Sequence, residues 1–518
     1  MNRGSAPPAA GGISAVLTAV RGDLLPSVVV FLVALPLCMG IAIASGVPPA
    51  LGIVTGIVGG IVVGALAGSP LQVSGPAAGL AVIIWQIVDA HGLAVMGAVV
   101  FLAGVIQIAA GLLRLGQWFR AVSPAVIRGM LAGIGVLIFA GQLHVMVDDK
   151  PRGSGIANLL SVPEALYRGI FPVDGSTHHL AAAIGLLTIL IIVLWAEFRP
   201  KRFAAVPPAL LAVVIASAAA AAFGLEINYV RVPARLSDGF TWLSLDVLSS
   251  IPVSTLLLEA AALAFIASAE TLLCATAVDL MHTGPRTNYD RELTAQGVGN
   301  VLCGAVGALP MTGVIVRSTA NVSAGAKTRA SAILHGLWIL VLGVAFTGVL
   351  EMIPTSSLAA ILVYTGYKLV DLRAVRELRK YGRSEVGIYV ATVVTIVAVD
   401  LLTGVLLGLG LAIAKLIYIF SHLKVILEPG SRTGVHHLHL GGAATFLAVP
   451  ILARALEQLP TESEVHVHFD DLDFIDHACI ELLSAHERTH VEMGGKFVVE
   501  WDELLRRYRT ITGEPAAV

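Results

Sequence analysis

Apolar runs long enough to cross a membrane alternate with short polar or basic loops over the first 420 residues of this chain. A membrane-spanning helix needs about 20 predominantly apolar residues, and the runs form two sets separated by the polar stretch 226–246. In each set a shortened third segment follows two spans and precedes four more. The predicted segments are 24–44, 50–67, 76–88, 94–113, 126–147, 180–195 and 206–223, then 255–278, 293–308, 314–326, 331–350, 358–370, 386–402 and 405–420.

This pattern predicts a mostly α-helical membrane protein with a transport domain at residues 21–424. Two sets of seven segments, at about residues 21–225 and 250–424, indicate a repeat. Because seven is an odd number of crossings, the second copy would be inverted relative to the first.

The shortened segment of each set begins at a break in the helical pattern. The first break reads Ser-Gly-Pro-Ala-Ala-Gly at residues 74–79, and the second reads Pro-Met-Thr-Gly at residues 310–313. A membrane tolerates a broken helix only where the freed backbone groups face protein or water, so two matching breaks indicate a central binding site. Each break starts a helix whose free N–H groups and positive dipole end favour an anion. The sequence therefore predicts an anion site between two helix starts.

Two charged residues belong to the same predicted region. Glu270 lies deep in the span 255–278, where an ionisable group costs about 2.5 kcal/mol or more, so it should face the protein interior and act as the coupling acid. Arg317 stands at the start of the second short helix, as a counter-charge for Glu270 or for an incoming anion. A buried Arg317–Glu270 salt bridge that only joins two helices is the structural alternative. Glu259, three helical turns before Glu270, is interpreted as an interfacial carboxylate.

Composition narrows the class of protein. Of the 518 residues 56% are hydrophobic and 13% are charged, with a formal net charge of -2, whereas an ordinary soluble domain is about 25% charged. The sequence shows no concentrated basic surface, so a nucleic-acid partner is not expected. The sequence shows no nucleophile next to a base, no phosphate-binding loop and no metal-ligand cluster, so an enzyme is not expected. No cofactor is expected either. The four cysteines do not form a disulfide framework.

Basic residues set the expected orientation. Loops rich in Lys and Arg lie on the cytoplasmic side of a membrane. Here the basic loops all fall on the same side in the predicted order of spans, so both termini are expected in the cytoplasm. The expected location is the plasma membrane, which is the inner membrane in a bacterium. Residues 1–20 resemble a disordered tail. The basic residues concerned are Arg114, Arg120, Arg128, Arg199, Lys201, Arg202, Lys368, Arg373, Arg376, Arg379, Lys380 and Arg383.

After Phe420 the pattern becomes that of a small α/β domain, at residues 433–518, with a core of its own in the cytoplasm. Strands are predicted at 436–440, 444–449 and 464–469, and helices at 480–491 and 503–508. His466 and His468 would share one strand face, but no Cys, Asp or Glu falls at a familiar zinc spacing, so no metal site is predicted.

Several motifs in order resemble the sulfate permease family of anion transporters. They are Arg-Gly-Asp-Leu at 21–24, Val-Ser-Gly-Pro at 73–76, Arg-Glu-Leu at 291–293, Gln-Gly-Val-Gly-Asn at 296–300 and Arg-Ser-Thr-Ala-Asn at 317–321. The segment Asp-Phe-Ile-Asp at 473–476 resembles the sulfate-transporter and anti-sigma-antagonist (STAS) domain of that family. The resemblance implies fourteen segments in two inverted repeats, divided into core and gate domains, and a homodimer with elevator-like movement.

The resemblance also implies where the anion rests, between the starts of the third and tenth segments at residues 76–79 and 316–318. Leu37 stands where many sulfate-type members have a glutamine, and it resembles bicarbonate-type members. Sodium-coupled members tend to carry Asp at the position of Glu270, Thr at that of Cys274 and no arginine at that of Arg317, so a sodium site is not expected. The complete set of predicted site residues is Leu37, Ser74, Pro76, Ala77, Ala78, Gly79, Glu270, Val316, Arg317 and Ser318.

The leading hypothesis is a secondary transporter for a small inorganic oxyanion, bicarbonate or sulfate, coupled to protons or working by exchange. Three alternatives remain open at this point. They are a passive anion channel, a sodium-coupled bicarbonate symporter, and a membrane-anchored regulator whose C-terminal domain binds a soluble partner.

Overall fold

The structure is a computed structural model of the chain. It describes residues 12–121, 123–152, 154–171, 177–200, 203, 206–231, 236–244, 246–247, 251–345, 347–430, 432, 434–469, 472–502 and 504. Lys201, Arg202 and most of the predicted helix 503–508 lie outside these residues. The chain divides into two compact units, Met1–Gly408 and Leu409–Val518, which we call the N-terminal and the C-terminal unit.

Helices make up most of the N-terminal unit. Seven helices of the described residues are long and apolar enough to cross a membrane. Helix α17 runs across the division between the units. The elements are α1 (Gly12–Ala44), α2 (Pro49–Val58), α3 (Gly64–Leu66), β1 (Ser74–Pro76), α4 (Ala81–Leu112), α5 (Pro124–Met146), α6 (Gly155–Ile170), α7 (His178–Phe198), α8 (Pro208–Ala222), α9 (Val253–Met281), α10 (Tyr289–Ala305), β2 (Met311–Gly313), α11 (Ile315–Ser323), α12 (Ala330–Ala345), α13 (Thr347–Leu350), α14 (Thr355–Leu369), α15 (Leu372–Arg379), α16 (Arg383–Ala398) and α17 (Leu401–Ser421).

The observed elements follow the predicted order of spans, with three differences. Helix α1 begins at Gly12, so the predicted disordered tail is too long by residues 12–20, whose valines and leucine continue the apolar helix. The predicted segments 76–88 and 94–113 form a single run, α4, which is kinked where Gly92 has a φ of 83°. Helices α6 and α15 were not predicted, because each is amphipathic rather than continuously apolar.

Two groups of helices pack within the N-terminal unit. One contains α1, α2, α4 and α9–α12, and the other contains α5–α8 and α14–α16. Contacts between the groups run mainly through α1. In the first group α4 and α10 approach closely, since a side-chain carbon at Gly104 would lie 2.5 Å from the amide nitrogen of Val301 and 2.7 Å from the carbonyl oxygen of Gly297. Small residues at such interfaces let helix backbones approach in a membrane.

After the end of α17, a mixed sheet and two helices make up most of the described part of the C-terminal unit. Strand β4 pairs antiparallel with β3 and parallel with β5 and β6, and β5 pairs parallel with β7. Leucines and valines on one sheet face pack against both helices and form the core. The elements are β3 (Leu423–Pro429), β4 (Val435–Ala444), α18 (Val449–Glu457), β5 (Glu464–His468), β6 (Leu472–Ile475), α19 (His477–Glu492) and β7 (Lys496–Val498).

Two sequence predictions for this unit are wrong. The sheet begins at Leu423 rather than after residue 433, because β3 pairs with β4 along its full length. The predicted strand 444–449 is a 3-10 turn at Phe446–Ala448 that leads into α18. A run of apolar residues this short fits a strand or a buried helical turn equally well, so its length and pattern did not decide between them.

The predicted strand face with histidines is present. His437, His439, His466 and His468 lie on adjacent registered positions of β4 and β5, and Nδ1 of His437 is 2.9 Å from Nε2 of His468. Nε2 of His466 lies 3.2 Å from Glu464, and the hydrogen bond from Lys496 lowers the pKa of that glutamate. In the part of the chain that the structure describes, no group of three or more His, Cys, Asp or Glu side chains is arranged to hold a metal ion.

Candidate functional site

The structure brings the two predicted helix breaks together. Strands β1 and β2 pair antiparallel, with Ser74 opposite Gly313 and Pro76 opposite Met311. Beyond the strand pair, the backbone N–H of Val73 donates to Oγ of Ser318 at 3.0 Å. Two helices that start about 240 residues apart in sequence therefore begin from one small, shared sheet.

Both helices begin with uncapped backbone N–H groups. On the first side, a 3-10 turn at Ala78–Leu80 leads into α4, and its first backbone bond runs from Leu80 N–H to Ala77 at 3.1 Å. On the second side, the first bond of α11 runs from Ser318 N–H to Val314 at 2.9 Å. Neither N-cap residue supplies a side-chain hydrogen bond. Such free N–H groups, together with the helix dipole, provide donors and positive potential for an anion.

Glu270 lies against the first of these helix starts. A side-chain carbon at Gly79 would be 2.8 Å from Oε2 and 2.9 Å from Oε1 of Glu270, so only glycine leaves room for the carboxylate. Oε2 is buried and has no hydrogen-bond partner among the described residues. A carboxylate at this position is favoured by the positive end of the helix. When ionised, this carboxylate offsets part of the positive potential that an incoming anion would experience at the helix start.

Arg317 lies behind the second helix start and is fully buried. Its Nη2 donates to the carbonyl oxygen of Pro76 at 3.3 Å, whereas Nε and Nη1 have no hydrogen-bond partner in the described part of the chain. The guanidinium packs against Gly75, where any side chain would collide with it. The salt bridge with Glu270 that the sequence suggested is not formed, since no ion pair within 4.0 Å joins these two described residues. The physical reason is that the two side chains lie against different residues of the first break, Gly75 and Gly79.

A cavity of about 650 Å³ adjoins the second helix start, between the two groups of helices. Val316 and Leu37 line this cavity. Ala77, Ser74 and Ser318 are buried and do not line the cavity. Thr319 and Ser323 also line it, and sequence reasoning missed them as site residues. Their spacing from Val316, three and seven residues, places all three on one face of a helix, and this periodicity was the available signal.

Helix α10 holds the strand pair with a row of buried polar side chains, which the sequence analysis named only as parts of family motifs and not as site residues. Glu292 accepts from Gln296 at 2.9 Å, and the same amide of Gln296 donates to Oγ of Ser74 in β1 at 2.6 Å. Asn300 accepts from the N–H of Met311 in β2 at 2.7 Å. A spacing of four residues puts these three side chains on one face of α10. Their periodicity within an apolar span was the sequence signal that could have revealed them.

Most of the N-terminal unit has known relatives. The Sulfate permease family model matches residues 20–392. The chain is 30% identical over 400 residues to "Putative sulfate transporter YvdB" of Bacillus subtilis, a match that covers 75% of this chain and 72% of the relative. It is 27% identical over 412 residues to "Bicarbonate transporter BicA" of Picosynechococcus, covering 77% and 70% of the two chains.

Solved structures agree with this assignment. The transmembrane domain of a cyanobacterial bicarbonate transporter BicA superimposes with a TM-score of 0.63 at 28% identity, over 74% of this chain and 97% of that one. The structure of SLC26A9 has a TM-score of 0.73 at 15% identity, over 95% of this chain and 87% of that one, which shows a shared fold. The family and its members are transporters rather than enzymes. A match over more than two thirds of the chain means that this multi-pass membrane protein belongs to the sulfate permease family.

Proposed function

We propose that this chain is a secondary transporter of a small inorganic oxyanion, with bicarbonate and sulfate as the candidate substrates. One observation carries the proposal: two uncapped helix starts meet at a shared strand pair beside a buried guanidinium. Backbone N–H groups and a fixed positive charge are the groups that bind an oxyanion. The names of the relatives, a sulfate transporter and a bicarbonate transporter, support the same substrate class.

Uptake of labelled bicarbonate and sulfate into proteoliposomes tests the substrate. We expect saturable uptake of one of the two anions, and counter-transport when the other side is loaded with unlabelled anion. Uptake that occurs only with sodium would contradict the proposed site. Single-channel currents would favour a passive channel instead.

The transport movement would be an elevator-like displacement of one group of helices against the other. The location of the cavity supports this proposal, since it lies between the groups, with α1 and α11 on one side and α7, α8 and α14 on the other. Lys368 and Arg199 line the cavity, and the positive-inside rule places both on the cytoplasmic side. The described conformation would thus be open to the cytoplasm.

The finer architecture is part of the same proposal. The order of elements supports fourteen segments in two inverted repeats. In each half, a strand and a helix start follow the second span, and an amphipathic helix, α6 or α15, follows the fifth span. The C-terminal unit would be a cytoplasmic STAS domain with a soluble partner, and the family resemblance implies a homodimer. Light scattering of the purified protein tests the dimer. Accessibility of cysteines introduced at both termini tests their cytoplasmic location.

Glu270 would couple anion transport to protons. Its carboxylate lies beside the helix start at Gly79, so its negative charge repels a bound anion, and a proton on it removes that repulsion. Substrate and proton would then bind together. Ser74, Pro76, Ala77, Ala78, Val316 and Ser318 would frame the anion with backbone groups, since the hydroxyls of Ser74 and Ser318 already form hydrogen bonds within the protein. Leu37 would supply an apolar wall.

Replacing Glu270 by Gln is expected to remove the pH dependence of transport. The amide mimics the protonated acid at every pH, whereas a single proton-linked step changes by up to roughly tenfold per pH unit. The measurement is the initial uptake rate in proteoliposomes as a function of pH. Glu259→Gln is the matched control, because Glu259 is on the same helix but pairs with His91 at 3.2 Å. A pH profile of Glu270→Gln identical to that of the unmodified protein would exclude the coupling role.

A further inference from the structure

Helix α15 carries a row of cations on its exposed face. Its inner face is packed within the N-terminal unit, with Ala374 and Leu378 only 4% and 3% exposed. Arg373, Arg376 and Arg379 are exposed on the outside. The two faces give this eight-residue helix a strongly amphipathic character.

The acidic residues of this segment are already engaged elsewhere. Asp371 accepts from the backbone N–H of Arg373 at 2.9 Å and so caps the helix. Glu377 pairs with Arg128 at 2.7 Å, and Glu385 accepts from the hydroxyl of Ser123 at 3.3 Å. Within the described residues, the exposed cations therefore have no acidic partner. These cations are Arg373, Arg376, Arg379, Lys380 and Arg383.

The position of α15 places these cations at a membrane surface. The sequence predicts α14 and α16 as membrane spans, and short connections join α15 to both. Helix α15 therefore lies where α14 ends and α16 begins, at the end of two spans. Tyr367 and Tyr381 flank it and are 64% and 78% exposed. Tyrosines with exposed rings are typical of the headgroup level of a bilayer.

We propose that the outer face of α15, with Lys380 and Arg383, is a binding surface for the headgroups of anionic phospholipids. The charges are complementary, and clusters of four to eight Lys or Arg next to a span attract anionic lipid. The chain has a net charge of -2, so this positive surface is local and does not reflect a basic protein. The surface is separate from the anion-binding site, and its test does not depend on transport.

Native mass spectrometry of the full-length purified protein tests the proposal, with phosphatidylglycerol and phosphatidylcholine as competing probes. We expect the protein to retain phosphatidylglycerol over phosphatidylcholine by roughly tenfold or more. In the variant R373Q/R376Q/R379Q/K380Q the preference should fall to about twofold or less. The charge-retaining variant R373K/R376K/R379K should keep it. Wild-type protein without a preference, or a neutralised variant that keeps the preference, would overturn the proposal.

Two further arms make the result specific. R152Q/R168Q removes two cations that are already paired, Arg152 with Asp149 at 3.5 Å and Arg168 with Glu164 at 2.5 Å, and should leave the lipid preference unchanged. Excess inorganic phosphate should not displace the lipid, because a row of cations along a helix binds an array of headgroups. Displacement by free phosphate would mean a phosphate site and would contradict a lipid surface.

Discussion

Replacing Arg317 by Met should weaken anion binding and at the same time raise the thermal stability of the ligand-free protein. The guanidinium is fully buried, two of its three nitrogens have no hydrogen-bond partner among the described residues, and no acidic side chain pairs with it there. A buried charge without a partner is costly to the fold. A cation in the first turn of α11 also opposes the helix dipole. Methionine removes both costs at similar volume.

The same substitution removes the fixed positive charge beside the helix starts. A hydrogen bond or close contact with a charged group contributes about 1.5–3 kcal/mol, so we expect an affinity loss of roughly 10- to 100-fold. Binding of sulfate and bicarbonate by calorimetry, and melting in detergent without either anion, are the two measurements. Arg317→Lys is the control, because it retains a charge and should keep part of the affinity. A lower melting temperature with unchanged affinity would show that Arg317 has only a structural role.

Replacing Gly104 by Leu should prevent α4 and α10 from packing and remove most of the folded protein. Already the first side-chain carbon would lie 2.5 Å from the amide nitrogen of Val301 and 2.7 Å from the carbonyl oxygen of Gly297. Both are backbone atoms that can move only with the helix. Overpacking of this kind costs typically 1–3 kcal/mol and more where backbone must separate. Because α10 also holds Ser74 and Met311 through Gln296 and Asn300, the strand pair would be displaced with it.

Gly387 provides the matched control for this prediction. It lies in α16, and nothing is within 4 Å of a side-chain carbon built there. Gly387→Ala should therefore be neutral or slightly stabilising, since alanine is favoured over glycine in a helix by about 1 kcal/mol. Gly104→Ala gives a graded test at the packed position. The measurements are the yield of monodisperse protein and its melting temperature, and equal behaviour of the two alanine variants would contradict the packing argument.

Local pattern was sufficient for the seven described helices that are long and apolar enough to cross a membrane, and for the two breaks. A run of apolar residues has the length of a bilayer whatever surrounds it, and glycine and proline interrupt a helix through their own backbone geometry. The short helices α6 and α15 were missed for the same reason, since neither is a continuous apolar run. In the C-terminal unit, β3 was missed because only its pairing with β4 identifies it as a strand.

The sequence by itself determined the membrane class, the order of the apolar helices, the two helix starts and the position of Arg317 in the first turn of the second one, because each depends on residue type and spacing within one segment. Only the tertiary structure decided that β1 and β2 pair, that Glu270 lies against Gly79, and that Arg317 is buried behind Gly75 without touching Glu270. These features join residues roughly 200 or more positions apart. A difference of one turn or one rotamer changes which groups meet, and no periodicity along the chain encodes that choice.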